Sequence, residues 1–410
     1  IWFVSVALIL LVLTAFLFTF TDSSKVKFEK YEKLEKEHNN LLANHNKLEK
    51  NFGKLEIDHK TLNEKYEKLN YEYMKKELMW ENPYKMPEEI WKVCKYSLES
   101  GEWALDISSE YWDKLPLEKK KEYIILYKKK YGFVKGLPGE LEIKIRSTFK
   151  FCLIPPSVFL MGSRDHSGDR QHDGILHKVI IEKPFYIGKY EVTQEQWKSI
   201  MEQIPWKWQK YAQYNKDFPV TYITIDDIQN CIKKLNNRKH IQQLELKGKF
   251  RLPTEEEWEY MCKSGTNERF YWSDLPANEI SSEIGKYANV LDKSAIKKYF
   301  KDVYLYSRFE TEDQFEILAT VGQFAPNNFG VYDTIGNVWE LCQNIYINGE
   351  KRRNVEANSL DQISNKALVM RGGSWSDYNL LWIGAPVRGW REPDNKCNSV
   401  GFRLLFELEE

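Results

Sequence analysis

The 410 residues carry 60 lysines and arginines against 60 aspartates and glutamates, a formal net charge of zero, and 42% of them are apolar and 14% aromatic. Balanced charge removes the electrostatic footprint of a nucleic-acid binder, so no nucleic-acid partner is expected. A chain of this length exceeds one ordinary core and predicts two or three structural units. The cysteines Cys94, Cys152, Cys231, Cys262, Cys342 and Cys397 are scattered without a C-x-x-C pair, which indicates neither a zinc knuckle nor a disulfide scaffold.

Residues 1–21 read as a membrane span. Ile1 to Phe20 are apolar except for Ser5, Thr14 and Thr19, and as a helix they reach about 30 Å, the thickness of the hydrocarbon core. A cleaved signal peptide fits less well, because its apolar stretch is ordinarily shorter and ends at small residues. A single-pass membrane anchor through 1–20 is therefore expected.

Residues 22–80 predict a coiled-coil stalk. Leu34, Leu41, Leu48, Leu55, Leu62 and Leu69 recur every seven residues, interleaved with Tyr31, His38, His45, Phe52, His59, Tyr66 and Tyr73. This is an a/d seam flanked by Lys, Glu and Asn, and it predicts self-association into a homo-oligomer of open strand number. At 1.5 Å per residue the span from Tyr31 to Tyr73 would be about 65 Å long.

Residues 81–150 are expected to form a helical adaptor, with helices over Glu88 to Tyr96 and Leu115 to Tyr131, punctuated by Gly132, Gly136 and Pro138-Gly139. The run Lys119-Lys120-Lys121 reads as a solvated helix face.

From Phe151 onward strands and turns replace long helices. Ile154 to Ser163 reads as a short strand and a glycine turn, followed by Phe185 to Thr193 and Phe218-Pro219-Val220. Thr254 followed by Glu257 within Arg251 to Tyr260 is a capping box. The turn-rich block Ala325 to Glu340, the segment Arg371-Gly372-Gly373-Ser374-Trp375 and Gly401-Phe402-Arg403-Leu404 complete the series. In this order and spacing the segments resemble the formylglycine-generating-enzyme, or sulfatase-modifying-factor, family over nearly all of 151–407. The resemblance implies an α+β fold for 151–410: a compact domain with little regular secondary structure, related to C-type lectin folds.

The resemblance also defines what the site lacks. Members that oxidise a sulfatase cysteine to formylglycine bind copper through two cysteines just after the RGGSW segment, since soft thiolates select Cu(I). Here the first position is Asp377 and the second falls on Leu381 or Trp382. Ser374 and Trp339, which match other active-site positions, cannot hold copper, and none is expected. Another branch of the superfamily uses histidine-bound iron. His166, His172 and His177 share a segment with Asp165, Asp169 and Asp173, but their spacing fits no helical face and reads as an exposed polar loop.

Calcium is the cofactor the resemblance implies. One set of ligands is Asn289, the carbonyl of Val290, Asp313 and the carbonyl of Phe315. The other is Asp333, the carbonyls of Gly336 and Val338, and Glu340. Carboxylates, amides and carbonyls on tight turns are the hard oxygens this ion takes. Glu340→Ala is expected to remove a calcium-dependent gain in stability and leave the ion-free domain folded. Occupancy is easier outside the cytosol, so the carboxyl domain is expected to be extracytoplasmic.

Ser376 to Arg391 contains no cysteine and no histidine, but it carries Tyr378, Trp382, Trp390, Arg388 and Arg391. These are residue types of interface hot spots. With Asp377 they form a candidate face for an unknown protein or glycan ligand. The expected function is a membrane-anchored, oligomeric, non-catalytic binding module. Two alternatives stand beside it: a metal-dependent oxidoreductase of the same superfamily with altered chemistry, and a lectin-fold receptor whose segment Ser376 to Val400 is diversified by a retroelement.

Overall fold

The structure, a computed structural model, describes residues 82, 85–97, 102–163, 174, 176–242, 244–273, 280–299, 309, 311–346 and 366–409. The expected membrane span, the stalk with its leucines, and residues 164–173 of the His/Asp-rich loop lie outside the described residues. Among those described, no helix is long and apolar enough to cross a membrane.

Helix α1 (Glu88–Trp91) stops after one turn, and the chain becomes β1 (Cys94–Ser97), antiparallel to β2 (Glu102–Asp106). The predicted helix over Glu88 to Tyr96 thus ends early, because pairing with β2 outweighs local propensity. Ser109 caps α2 (Glu110–Asp113), its hydroxyl accepting the Trp112 N–H at 3.3 Å. Helix α3 (Leu117–Lys135) starts after Pro116 and ends at Gly136, whose φ of 66° is the left-handed stop that glycine adopts freely. Its buried stripe is Tyr123, Ile124, Tyr127 and Tyr131, a helical spacing that faces one neighbour. Lys119 and Lys121 are solvated and paired with Glu122 and Glu118, whereas Lys120 is buried with its ammonium donating to the Asp113 carbonyl at 3.0 Å.

Residues 81–150 are not a free-standing adaptor. Strand β3 (Glu140–Lys144) forms a hairpin with β4 (Thr148–Ile154), across the expected boundary at 150. Strand β5 (Ser157–Met161) joins β2 in parallel and pairs with β6 (His177–Ile181), giving a sheet ordered β1-β2-β5-β6. The Tyr127 hydroxyl lies 2.9 Å from the Pro156 carbonyl, and Trp112 Nε1 donates to the Gly265 carbonyl at 2.8 Å. A Cβ added at Gly265 would lie 2.1 Å from Ile124 Cγ1, so helix α3 sits directly against the later chain.

After β7 (Phe185–Gly188) come α4 (Gln194–Met201), α5 (Ile225–Asn236), α6 (Lys239–Gln242), β8 (Gly248–Arg251), α7 (Glu255–Lys263) and α8 (Lys293–Tyr299). Capping boxes open α4 with Thr193 and Gln196, α5 with Thr224 and Asp227, and α7 with Thr254 and Glu257. The last is the one predicted; such caps are each worth about 1 kcal/mol. Strands β9 (Trp339–Ile345), β10 (Leu368–Gly372), β11 (Gly384–Arg391) and β12 (Val400–Gly401) form a sheet ordered β11-β10-β9-β12. The terminal strand β13 (Leu405–Leu408) inserts between β7 and β8 in the sheet β3-β4-β7-β13-β8. The fold is therefore mixed α and β, with long irregular connections in its second half.

Candidate functional site

The turn after β10 occupies the expected thiolate positions. Gly372 and Gly373 have φ of 96° and 84°, and a Cβ on Gly373 would lie 2.5 Å from Ile383 Cγ2. Only glycine lets the chain fold back this closely. Ser374 then accepts no solvent: it is fully buried, and its N–H and hydroxyl donate to Asp377 Oδ2 at 2.8 and 2.9 Å. Ser376 Oγ lies 2.9 Å from Ser374 Oγ. Asp377 therefore points inward. Burial pushes its carboxyl up to about 6, against the opposing hydrogen bonds from Ser374 and Trp339. Leu381 is exposed and Trp382 half-buried, just beyond the Asn379 side chain that accepts the Leu381 N–H at 2.6 Å. Neither expected position offers a soft ligand.

Of the remaining members of the expected ligand face, Tyr378 lies in the turn before β11, and Arg388, Trp390 and Arg391 lie along that strand. Gly384 pairs with Gly372 at the end that holds the Asp377 turn, whereas Trp390 pairs with Val369. Six residues separate Gly384 from Trp390, about 20 Å of strand. Tyr378 is 41% exposed and Trp390 45%, with Trp390 stacked on Tyr346 at 5.4 Å and 17°. Arg391 donates to Asn395 Oδ1 at 2.8 Å. Arg388 is already committed. Its guanidinium forks onto Glu255 at 2.7 and 2.9 Å and lies 5.7 Å from the Tyr346 ring centre. The forked pair that the sequence would offer to a ligand is thus made within the chain.

The two expected calcium sets share a wall. A Cβ on Gly336, whose φ is 79°, would lie 2.3 Å from the Asn289 carbonyl oxygen. That carbonyl accepts the Asn337 N–H at 2.8 Å, and Asn289 Nδ2 donates to Asn337 Oδ1 at 3.0 Å. In the first set Asp313 accepts the N–H groups of Val290 at 3.1 Å and Phe315 at 2.8 Å. Asp292, which is not among the expected ligands, stands beside it. Its carboxylate accepts the Asp313 N–H, together with those of Ser294 at 2.7 Å and Ala295 at 3.4 Å. Burial, then the Asp292 charge, pushes Asp313 up to about 7. Both carboxylates are held by backbone amides, with no ion pair among the described residues. Such a cleft fits a hard cation, which would supply the missing positive charge.

The second set fits only in part. Glu340 receives Arg403 on both oxygens at 2.5 Å and Trp258 Nε1 at 2.7 Å. Asp333 Oδ2 accepts the Gly322 N–H at 2.5 Å, and the Phe324 N–H also faces this buried carboxyl. Burial pushes Asp333 up to about 7, opposed by Arg403. Glu191 lies nearby and accepts Asn337 Nδ2 at 2.7 Å and the Val338 N–H at 3.3 Å. Burial, then the charges of Asp333 and Glu340, raise its carboxyl well above the ordinary range. One guanidinium thus serves three buried carboxylates, and an ion here would compete with Arg403 for Glu340. Glu340→Ala would take the forked partner from a fully buried guanidinium, so the ion-free domain is expected to lose stability even without calcium. Among the described residues, no group of three or more His, Cys, Asp and Glu side chains converges as a metal site.

Glu191, Asn337 and Arg403 sit within the segments that carry the resemblance, so their presence is visible in the sequence. Their convergence depends on partners 63 to 147 residues away. Asp292 has a local signal, as an acid three residues after Asn289.

Residues 139–408 match the sulfatase-modifying factor enzyme 1-like domain. The formylglycine-generating enzyme of Mus musculus is 30% identical over 162 residues, 38% of this chain and 39% of that protein. The inactive C-alpha-formylglycine-generating enzyme 2 of Mus musculus is 29% identical over 160 residues, 37% of this chain and 42% of that protein. The matched part therefore spans about two fifths of the length of these relatives. Among solved structures, PvdO from Pseudomonas aeruginosa superposes with a TM-score of 0.50 at 23% identity, over 66% of this chain and 99% of that one, a likeness of fold.

Proposed function

The chain belongs to the sulfatase-modifying factor enzyme 1-like family, and from that premise we propose that its domain is a binding module that does not oxidise cysteine. One observation carries the reading. Where copper-binding thiolates are expected, the chain has Asp377, turned inward onto Ser374, and a Leu381–Trp382 pair. A hard carboxylate held by two hydrogen bonds and a tryptophan do not form a Cu(I) site. The name of the mouse inactive relative supports the view that this family has members without the reaction.

In this reading the module is anchored through residues 1–20, carried on an oligomeric stalk over 22–80, and presented on the extracytoplasmic side. Oligomerisation multiplies a weak site by avidity. Tyr378 with Leu381 at one end of β11, and Trp390 with Arg391 at the other, offer two exposed patches to a protein or glycan. Calcium is held by Asn289, Asp313 and the carbonyls of Val290 and Phe315, with Asp292 alongside. There it neutralises the buried carboxylates and pins two connections together.

The test pairs an activity assay with a binding screen. The full chain is incubated with a sulfatase-type cysteine peptide with and without copper, and is screened on protein and glycan arrays. No formylglycine should form, and at least one interaction should be lost on Tyr378→Ala or Trp390→Ala. Copper-dependent conversion of the peptide would overturn the reading. Turnover of any substrate that Asp377→Asn removes would replace it with an enzyme of altered chemistry.

A further inference from the structure

Between α4 and the backbone bridge at Pro219 the chain runs from 202 to 218 without regular structure, longer than the connections that ordinarily join two elements. Ile204, Trp208, Tyr211 and Tyr214 in this loop are 38, 90, 40 and 62% exposed. They are four of the twelve large apolar side chains exposed among the described residues, gathered within eleven positions. So dense a cluster calls for a partner, whereas scattered exposed apolar residues do not.

The loop is held in place from below. Trp206 is only 2% exposed and plugs it into the body. The Tyr222 hydroxyl donates to the Lys210 carbonyl, Gln194 Nε2 donates to the Gln213 carbonyl at 3.0 Å, and Gln213 Oε1 accepts the Leu318 N–H at 3.3 Å. Successive turns close through Lys207 N–H to Ile204, Gln209 N–H to Trp206 and Ala212 N–H to Gln209, at 3.1 to 3.2 Å. Trp208 and Tyr211 have φ of 66° and 62°, a left-handed backbone that costs energy for bulky side chains and persists where the surroundings impose it. The scaffold therefore spends stability to aim two aromatic rings outward.

Charge selects the partner. From Glu202 to Asp217 the loop carries Lys207, Lys210 and Lys216 against two acids at its ends, Glu202 paired with Arg146 and Asp217 facing Lys216, so the basic part is its apex at Lys207 and Lys210. Lys207 Nζ lies 5.2 Å from the Trp208 ring centre and Lys210 Nζ 4.8 Å from that of Tyr211. Each of these rings thus has an ammonium group at its own level. Protein-binding patches are depleted in lysine. Indole and phenol rings beside ammonium groups are instead the combination of a bilayer interface, where rings sit among headgroups and lysines reach anionic phosphates.

We propose that the 202–217 loop is a membrane-docking element, which lays Ile204, Trp208, Tyr211 and Tyr214 into the headgroup layer of an anionic bilayer with Lys207 and Lys210 on the lipid phosphates. The site is independent of the turn at Asp377 and of the binding reading above.

The test uses the full chain in neutral phosphatidylcholine nanodiscs, with Cys397→Ser and a fluorophore on Gln209→Cys. It is titrated with vesicles of phosphatidylcholine and phosphatidylserine that carry a lipid-borne quencher. Saturable quenching is expected with these vesicles and not with phosphatidylcholine alone. Trp208→Ser with Tyr214→Ser should abolish it. Lys207→Gln with Lys210→Gln should raise the half-saturating lipid concentration about 30-fold, the loss of two surface lysines. Unchanged melting temperatures verify that these exposed replacements leave the fold intact. The proposal is overturned if the anionic vesicles give no quenching, if both double variants quench as the parent does, or if a soluble polyanion such as dextran sulfate is bound while vesicles are not.

Discussion

Glu340→Ala removes the carboxylate that faces the fully buried Arg403. The guanidinium keeps its bonds to the carbonyls of Gly188 at 2.8 Å and Tyr332 at 3.0 Å, and it retains the nearby charges of Glu191 and Asp333. It loses both Glu340 oxygens, and Trp258 Nε1 loses its acceptor. Breaking a buried pair from one side costs about 3–5 kcal/mol, and the residual carboxylates place the cost near the lower end. Against a total stability of about 5–15 kcal/mol, the ion-free domain should stay folded but lose a large share of its margin. Arg403→Met should cost more, because it removes the cation that faces Glu340, Glu191 and Asp333 together, and its cost should shrink in acid as the raised carboxyls of Glu191 and Asp333 take up protons. Equilibrium urea unfolding followed by circular dichroism in chelator, at pH 7 and pH 5, measures both. A Glu340→Ala cost below about 1 kcal/mol, or a smaller cost for Arg403→Met than for Glu340→Ala, would refute the view that one guanidinium balances this cluster.

Calcium should raise the melting temperature, by the equivalent of about 2.7 kcal/mol at a hundredfold excess over its dissociation constant. Asp313→Asn should remove most of that gain, and melting that is insensitive to chelator would eliminate the site. Asp313 is held at about 7 when folded, against about 3.9 for an unfolded aspartate. The native state therefore binds its proton more tightly, and the stability this contributes is complete below about pH 4 and lost as pH rises through 7. In chelator, Asp313→Asn should accordingly compare more favourably with the parent at pH 8 than at pH 5. Parallel stability profiles over that range would exclude the raised carboxyl. Ile124→Ala, which empties the contact between α3 and Gly265, should destabilise the whole domain by about 2–5 kcal/mol. A loss below about 1 kcal/mol in calorimetry would mean that residues 81–150 are separate after all.

Several features of the chain are legible in the sequence alone, because their causes lie within one or two turns of backbone. The Thr254–Glu257 capping box, the proline and glycine that delimit α3, and the glycine-rich return after β10 each follow from neighbours a few residues away. The ordered motifs also announce the family, and the absence of cysteine from the Ser376 to Arg391 segment is visible by inspection. Periodicity indicates which face of an element is apolar, but it does not say what that face will meet. Only the tertiary structure brings β13 between β7 and β8, draws residues 81–150 into the two sheets, and turns Asp377 inward onto Ser374. It also closes Arg388 onto Glu255 across 133 positions and sets Arg403 among three acids. The exposed ring cluster of the 202–217 loop escapes the sequence for the same reason. Trp206 and Trp208 are two residues apart and chemically identical, and only the packing beneath the loop decides that one is a plug and the other a probe.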